Sequence, residues 1–188
     1  MAATEALHQL QTGKLVSLSE QELVDCDTEY DSGCQGGLLD TAFTFIHQHG
    51  GLTTEANYPY TGTDGICNAK RAASNAASIS GYEDVPADDE EALMKAVAHQ
   101  PVSVAVEGGG FDFQFYSGGV FTGQCGTDLD HAVLAIGYGA ADGGGEYWLI
   151  KNSWGTTWGE KGYMRMKMGG GGKQGLCGIA MEASYPVA

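Results

Sequence analysis

The sequence has few basic residues: nine Lys and Arg stand against 24 Asp and Glu, giving a formal net charge of −15. Binding to phosphate backbones requires clustered Lys and Arg, so this balance excludes nucleic acid as a partner. No apolar run approaches the roughly 20 residues that a membrane-spanning helix needs, and no membrane partner is expected. No basic segment precedes an apolar one near Met1, so the pattern predicts no signal peptide.

The sequence also lacks the paired cysteine spacings of zinc sites. It contains five cysteines, none spaced CxxC: Cys26, Cys34, Cys67, Cys125 and Cys177. The histidines at 47, 49 and 99 have no consistent ligand spacing, so a zinc or lectin-like module is disfavoured and no metal or cofactor is expected. In an oxidising compartment the odd count predicts two disulfides and one unpaired cysteine.

Helical patterns dominate the first half of the chain. Apolar residues recur at helical spacing over residues 2–11, before a stop at Gly13. Ser19 and Glu22 fit a capping box that opens the next helix. Further helices are predicted over 38–50 and from Asp88 to about His99. Residues 51–80 carry few periodic signals and are predicted to form loops.

The second half changes to short segments rich in β-branched and aromatic residues, separated by glycines. They lie at 101–107, 118–123, 131–139, 146–154 and 162–168. The sequence therefore predicts an α+β protein with a helical lobe over 1–85 and an antiparallel β-barrel lobe over 86–188. A cleft between two such lobes is a common place for an active site.

Two polar residues lie among the apolar segments of the second half. His131 opens one predicted strand, and Asn152 lies in the next, across a hairpin through Gly143–Gly145. Each alone is more typical of a structural residue than of a catalyst. Together they fit an amide that orients an imidazole, which leaves the other ring nitrogen free to hold a nucleophile's proton.

Several longer segments make the assignment more specific. They are LVSLSEQELVDCD, GCQGGLLDTAF, NYPY, QPVSVAVE, LDHAVLAIGYG, YWLIKNSWGTTWGEKGYMRM and GLCGIAMEASYPV. In this order they resemble the papain-like cysteine proteases, and most closely the plant, cathepsin L-like branch. The resemblance covers nearly the whole chain. It implies a papain-like two-lobed fold, in which the last residues cross back to the first lobe. It also implies peptide-bond hydrolysis through a Cys–His–Asn site.

The resemblance also implies roles for individual residues. His131 would be the partner of the thiolate, Asn152 would orient it, and Trp154 would shield their hydrogen bond from water. Gly36 and Gly37 would let a peptide pair with the backbone, since glycine has no Cβ to obstruct the approach. The pocket for the residue two before the scissile bond would be lined by Leu39, Ala105, Leu129, Asp130 (mainly through its backbone) and Glu182. Whether Glu182 forms the base of that pocket or points to solvent stays open.

The nucleophile is the missing part of this pattern. The family motif C-G-[SA]-C-[WY] lies 130–150 residues before the His and Asn, and counting back from His131 reaches residue 1 or earlier. We therefore expect the sequence to start after the catalytic cysteine, and the chain as given to be inactive and poorly folded alone. By resemblance, Cys26 pairs with Cys67 and Cys125 with Cys177, which leaves Cys34 without its upstream partner. Its GCQGG setting has no basic neighbour that would make it a substitute nucleophile.

Two functions remain open at this point. The first is a cysteine endopeptidase present as a fragment, and the second is a non-catalytic homologue that keeps the fold for binding. By resemblance the partners would be peptide or protein substrates, cystatin-type inhibitors or an inhibitory propeptide, acting on a monomer. Disulfides and the low pI favour a secreted, vacuolar or lysosomal location.

Overall fold

A computed structural model describes residues 1–29 and 31–188, and it has the predicted α+β composition. The helices are α1 (Ala2–Thr12), α2 (Glu20–Cys26), α3 (Leu39–Gln48), α4 (Ala69–Ala72), α5 (Glu90–Val97) and α6 (Phe111–Gln114). The strands are β1 (Gly81–Asp84), β2 (Val102–Val106), β3 (Val120–Phe121), β4 (His131–Ala140), β5 (Glu146–Lys151), β6 (Tyr163–Lys167) and β7 (Ala183–Val187). Short 3₁₀ turns lie at Gly33–Gln35, Gly172–Gln174 and Leu176–Gly178.

The chain divides into two compact units, of which the first comprises Met1–Glu83 and Pro186–Ala188. Helices α1 to α4 belong to it, and Leu18, Ile46 and Leu52 are fully buried there. Helix α1 ends as predicted: Gly13 adopts the left-handed conformation, and its N–H bonds to the carbonyl of Gln9. Only glycine takes that conformation without a steric cost, which explains why the helix stops there.

The prediction of a capping box at α2 is correct for one of its two hydrogen bonds. Ser19 Oγ accepts a hydrogen bond from the N–H of Glu22 at 3.0 Å, as predicted. Glu22 does not reach back to Ser19: its carboxylate accepts the N–H of Thr53 at 2.8 Å. The reason is tertiary, because the Ser19 N–H already donates to the carbonyl of Thr53. Glu22 thus joins α2 to the segment that carries Thr53.

The predicted start of α5 was wrong by one residue. Asp89, and not Asp88, is the N-cap, and its side chain accepts the N–H of Ala92 at 2.9 Å. Asp88 instead has a φ of 58°, which places it in a turn before the helix. The helix also ends at Val97, short of the predicted His99. Sequence spacing could not separate two adjacent aspartates that are both good caps.

The second unit comprises Asp84–Tyr185 and holds most of the sheet. The strand order is β1-β7-β2-β4-β5-β6-β3. Pairing is antiparallel for β2–β4, β2–β7, β4–β5 and β5–β6, whereas β3 pairs with β6 in parallel. Val102, Val104 and Val106 of β2 are fully buried, and so are Trp148 and Ile150 of β5, so alternate side chains of both strands face one core.

Helix α6 was not predicted from the sequence. It is a single turn whose Phe113 is fully buried, while Phe111 and Phe115 are exposed and lie 4.5 Å apart between ring centroids. The segment GGGFDFQFY alternates aromatic and polar residues, a pattern more typical of a strand than of a helix. The position of Phe113 matters because its ring contacts the site described next.

Candidate active site

Strand pairing brings together the two polar residues singled out in the second unit. In the β4–β5 ladder, Leu134 lies opposite Lys151. Because the strands are antiparallel, the start of β4 and the end of β5 lie at the same edge of the sheet. His131 is the first residue of β4 and Asn152 directly follows β5. The side chains therefore meet, with His131 Nε2 lying 2.8 Å from Asn152 Oδ1.

The hydrogen bonds of Asn152 define the protonation of the imidazole. Asn152 Oδ1 also accepts the N–H of Ser153 at 2.7 Å, which identifies that atom as the oxygen. An amide oxygen only accepts, so His131 Nε2 must carry its proton and donate it. His131 Nδ1 is then the nitrogen left to exchange a proton with another group. Asn152 is itself buried, so its orientation is constrained by the surrounding structure.

Aromatic rings cover this hydrogen bond. Trp154 stacks on His131 with ring centroids 4.7 Å apart and an interplanar angle of 25°. Phe113 meets both rings edge-on, 6.3 Å from His131 and 5.7 Å from Trp154. A drier surrounding strengthens a hydrogen bond electrostatically. Trp154 is 39% exposed, so the aromatic rings cover the hydrogen bond at the protein surface and do not enclose it.

A second support for His131 comes from a loop that the sequence did not single out. A Cβ placed on Gly108 would lie 2.9 Å from His131 Cβ and 3.1 Å from its Cδ2, so glycine is required for this close approach. The carboxylate of Asp130 holds the loop, accepting the N–H groups of Gly108 at 2.7 Å and Gly109 at 3.1 Å. The sequence offered one signal for this contact, the glycine run 108–110 directly after a strand.

The structure also shows the contacts of the other predicted pocket residues of the second unit. The Ala105 N–H donates to the carbonyl of Glu182 at 2.9 Å. Leu129 lies next to Gly178, where a Cβ would come 2.7 Å from its Cδ2. The Glu182 side chain is exposed. The Asp130 carboxylate bonds to the Gly108–Gly109 loop, and the role of its backbone in the pocket stays a prediction.

In the first unit, Gly36 and Gly37 form an exposed segment just before α3. Gly36 has a φ of 116°, a conformation that side-chain-bearing residues rarely adopt. Leu39 is the first residue of α3 and is partly buried. Asp31 anchors this segment, because its carboxylate accepts the N–H of Leu38 at 3.1 Å.

The cysteines divide into two bonded pairs and one thiol. Cys26 is bonded to Cys67, and Cys125 to Cys177. Cys34 is free and exposed. Partial desolvation and the adjacent Asp64 carboxyl raise the pKa of the Cys34 thiol, which disfavours the thiolate.

The described part of the chain has neither a cluster of metal ligands nor a membrane-spanning helix. Residues 1–29 and 31–188 contain no group of three or more His, Cys, Asp or Glu that could hold a metal ion. None of the helices in those residues is long and apolar enough to cross a membrane.

Comparison with known proteins decides the family. The model of the papain family of cysteine proteases matches residues 1–187. The chain belongs to the papain family. It is 67% identical over 186 residues to the senescence-specific cysteine protease SAG12 of Arabidopsis thaliana, covering 99% of this chain and 54% of that protein. Vignain of Ricinus communis is 63% identical over 187 residues, covering 100% of this chain and 52% of that protein. The chain therefore spans about half the length of the curated relatives it matches.

Solved papain-family structures have the same fold. Bromelain from Ananas comosus, in complex with the E64 inhibitor, superposes with a TM-score of 0.93 at 45% identity, covering 99% of this chain and 85% of that one. The ragweed pollen allergen Amb a 11, a cysteine protease solved in its proform, gives a TM-score of 0.93 at 49% identity, covering 99% and 57%. The predicted α+β papain-like fold is confirmed.

Proposed function

We propose that this chain is part of a cysteine endopeptidase that hydrolyses peptide bonds through a Cys–His–Asn site. The hydrogen bond from His131 Nε2 to Asn152 Oδ1 carries this proposal, because it leaves Nδ1 as the nitrogen that exchanges a proton. His131 would take the proton of a cysteine thiol through Nδ1 and form an imidazolium–thiolate pair. After the thiolate attacks the substrate carbonyl, His131 would return that proton to the departing amine.

We infer that the nucleophile lies outside these 188 residues and that the chain alone is inactive. Four of its cysteines are in disulfides and therefore cannot attack a carbonyl. The fifth, Cys34, has a raised pKa beside Asp64, which is the opposite of what an activated nucleophile needs. Without a nucleophile only binding and orientation remain, and these fall far short of full catalysis.

The substrate-binding roles form part of the same proposal. Gly36 and Gly37 would pair with the substrate backbone, and their exposure supports this role. Leu39, Ala105, Leu129, Asp130 and Glu182 would line the pocket for the residue two before the scissile bond. Among similar proteins, a proform and a complex with the inhibitor E64 have been solved, which supports an inhibitory propeptide and active-site inhibitors as partners. Cystatin-type inhibitors and a monomeric state stay predictions. Two disulfides support a secreted, vacuolar or lysosomal location.

The test uses the natural protein that carries this sequence, together with its upstream coding sequence. A Cys-Trp shortly before residue 1 and hydrolysis of a peptide amide would support the proposal. His131→Ala should then lower kcat by about 10²–10⁴-fold, the usual contribution of a general acid–base. The matched control is His99→Ala, an exposed histidine of the same unit. Ser or Gly at the nucleophile position would instead identify a non-catalytic binding protein.

A further inference from the structure

A buried carboxyl precedes, in the chain, the segment that carries Gly36 and Gly37. Asp27, the residue after α2, is only 4% exposed. Its Oδ2 is buried and accepts no hydrogen bond from residues 1–29 or 31–188. A buried carboxylate without donors carries a large desolvation cost, which the group usually avoids by keeping its proton.

The neighbour of Asp27 is the residue that anchors the glycine segment. Asp31 Oδ1 accepts two hydrogen bonds, from the Leu38 N–H at 3.1 Å and from Thr41 Oγ1 at 2.7 Å. Gly37 lies against the same carboxyl, because a Cβ on it would come within 2.5 Å of Asp31 Cγ. The orientation of Asp31 therefore determines where the backbone of Gly36–Leu38 is held.

Asp31 is also the acidic neighbour that most affects Asp27. Besides burial, a side-chain hydrogen bond with Asp31, together with its charge, raises the pKa of the Asp27 carboxyl. Ionised carboxyls only accept hydrogen bonds, so this bond exists only while one of them is protonated. Burial, followed by the contact with Asp31, raises the pKa of Asp27 to about 7. Of the other charged neighbours, Glu29 also raises this pKa and His49 lowers it.

We propose that Asp31 is the positioning residue of the substrate-binding glycine segment, and that a proton shared with Asp27 holds it in place at acidic pH. The proposal rests on the proposed function, since it assigns control by pH to the same substrate-binding segment. Above neutral pH Asp27 loses its proton, and its carboxylate then repels that of Asp31. Asp31 then moves away from Asp27, and the Leu38 N–H and the Thr41 hydroxyl lose their shared acceptor.

The first test measures kcat and KM separately from about pH 5 to pH 8, on the natural protein that carries this sequence. KM for an extended peptide should rise about tenfold over this range, since one pKa unit of linkage corresponds to a tenfold change in an equilibrium. Asp27→Asn should make KM independent of pH, because its amide donates to Asp31 without titrating. Glu29→Gln is the matched control: it removes a nearby exposed charge but not the shared proton, and its KM should rise like the wild type's.

Asp31→Asn provides a second variant in case Asp27→Asn does not fold. Its amide oxygen can still accept the Leu38 N–H, while its NH₂ group donates to Asp27, so KM should again be constant with pH. A wild-type KM that stays constant, or an Asp27→Asn KM that rises as in the wild type, would overturn the proposal.

The second test does not depend on activity and so separates this proposal from the proposed function. Hydrogen exchange of the Leu38 amide, corrected for the intrinsic effect of pH, should be about tenfold less protected at pH 8 than at pH 5. In the Asp27→Asn variant, the Leu38 amide should be equally protected at pH 5 and at pH 8. Equal protection in the wild type would overturn the proposal even if the enzyme is active. Absence of hydrolysis with the expected exchange pattern would count against the proposed function alone.

Discussion

Gly108 lies so close to His131 that a single methyl group would collide with the imidazole-bearing side chain. Gly108→Ala should therefore displace the ring from Asn152 and lower kcat/KM about tenfold or more, because small displacements of a catalytic group have large effects on rate. The natural protein that carries this sequence should be used for the kinetics, with circular dichroism to verify the fold.

Gly137→Ala is the matched control for this change. Gly137 lies in the same strand as His131, and a Cβ there would meet nothing within 4 Å. Its kcat/KM should stay within twofold of the wild type. Equal losses for both variants would mean that the effect comes from the sheet and not from His131.

Asn152→Ala should remove the acceptor that fixes the His131 tautomer. We expect kcat to fall about 10²-fold, at the lower end of the general acid–base contribution, because the imidazole remains but is no longer oriented. Ser153→Ala serves as the control, since Ser153 contacts Asn152 only through its backbone N–H in the bond described. A rise in KM alone, with kcat unchanged, would contradict an orienting role.

Trp154→Ala should open the His131–Asn152 hydrogen bond to water. We expect about a tenfold lower kcat/KM, with most of the activity kept in Trp154→Phe, because a phenyl ring can still stack on the imidazole. Tyr138→Ala is a suitable comparison, because Tyr138 is also an exposed aromatic residue of the second unit. If Trp154→Ala and Tyr138→Ala behave alike, shielding is not the function of Trp154.

The Glu160–Arg165 pair should give the second unit a stability that decreases in acid. Arg165 holds both oxygens of Glu160, at 2.9 and 2.6 Å, and lowers the pKa of that carboxyl. A lowered pKa means that the stabilisation is present above the ordinary carboxyl pKa and is lost as pH falls through the folded-state value. Glu160→Gln should lower Tm by about 2–4 °C near pH 6 and have little effect near pH 3.

The comparison variant for that pair is Glu91→Gln. Its partner Lys95 is 69% exposed, so solvent screens the interaction and Tm should hardly change. A Glu160→Gln effect that is equal at both pH values would show that packing, and not charge, is responsible.

The sequence was sufficient to predict the features that depend on residues close together in the chain. It predicted α1 with its stop at Gly13, the strand that begins at His131, and the Ser19 cap of α2. It also predicted the strand before Asn152, although β5 ends at Lys151 and not after Asn152. The glycine run 108–110 alone did not identify the contact of Gly108 with His131, because that contact follows from the pairing of β2 with β4, in which Val106 lies opposite His131. The partner of Glu22 was missed for the same reason, since Thr53 lies 31 residues away.

The carboxyl pair of Asp27 and Asp31 illustrates a different limit. Four acidic residues at 25, 27, 29 and 31 look alike in the sequence. Asp27 is buried whereas Glu29 is exposed, and only the fold separates them. Burial determines which carboxyl has an unusual pKa, and spacing alone does not report burial.

The hairpin of β4 and β5 also has a kinetic consequence. His131 and Asn152 are 21 residues apart, and one local turn closes the loop between them. Closing so short a loop costs little chain entropy, so this half of the reactive site needs no long-range search to form. Residues 142–145 at the tip of the hairpin are exposed, and the three glycines there all have positive φ. A reporter sequence could consequently be inserted at that tip without changing the pairing that holds His131 next to the side chain of Asn152.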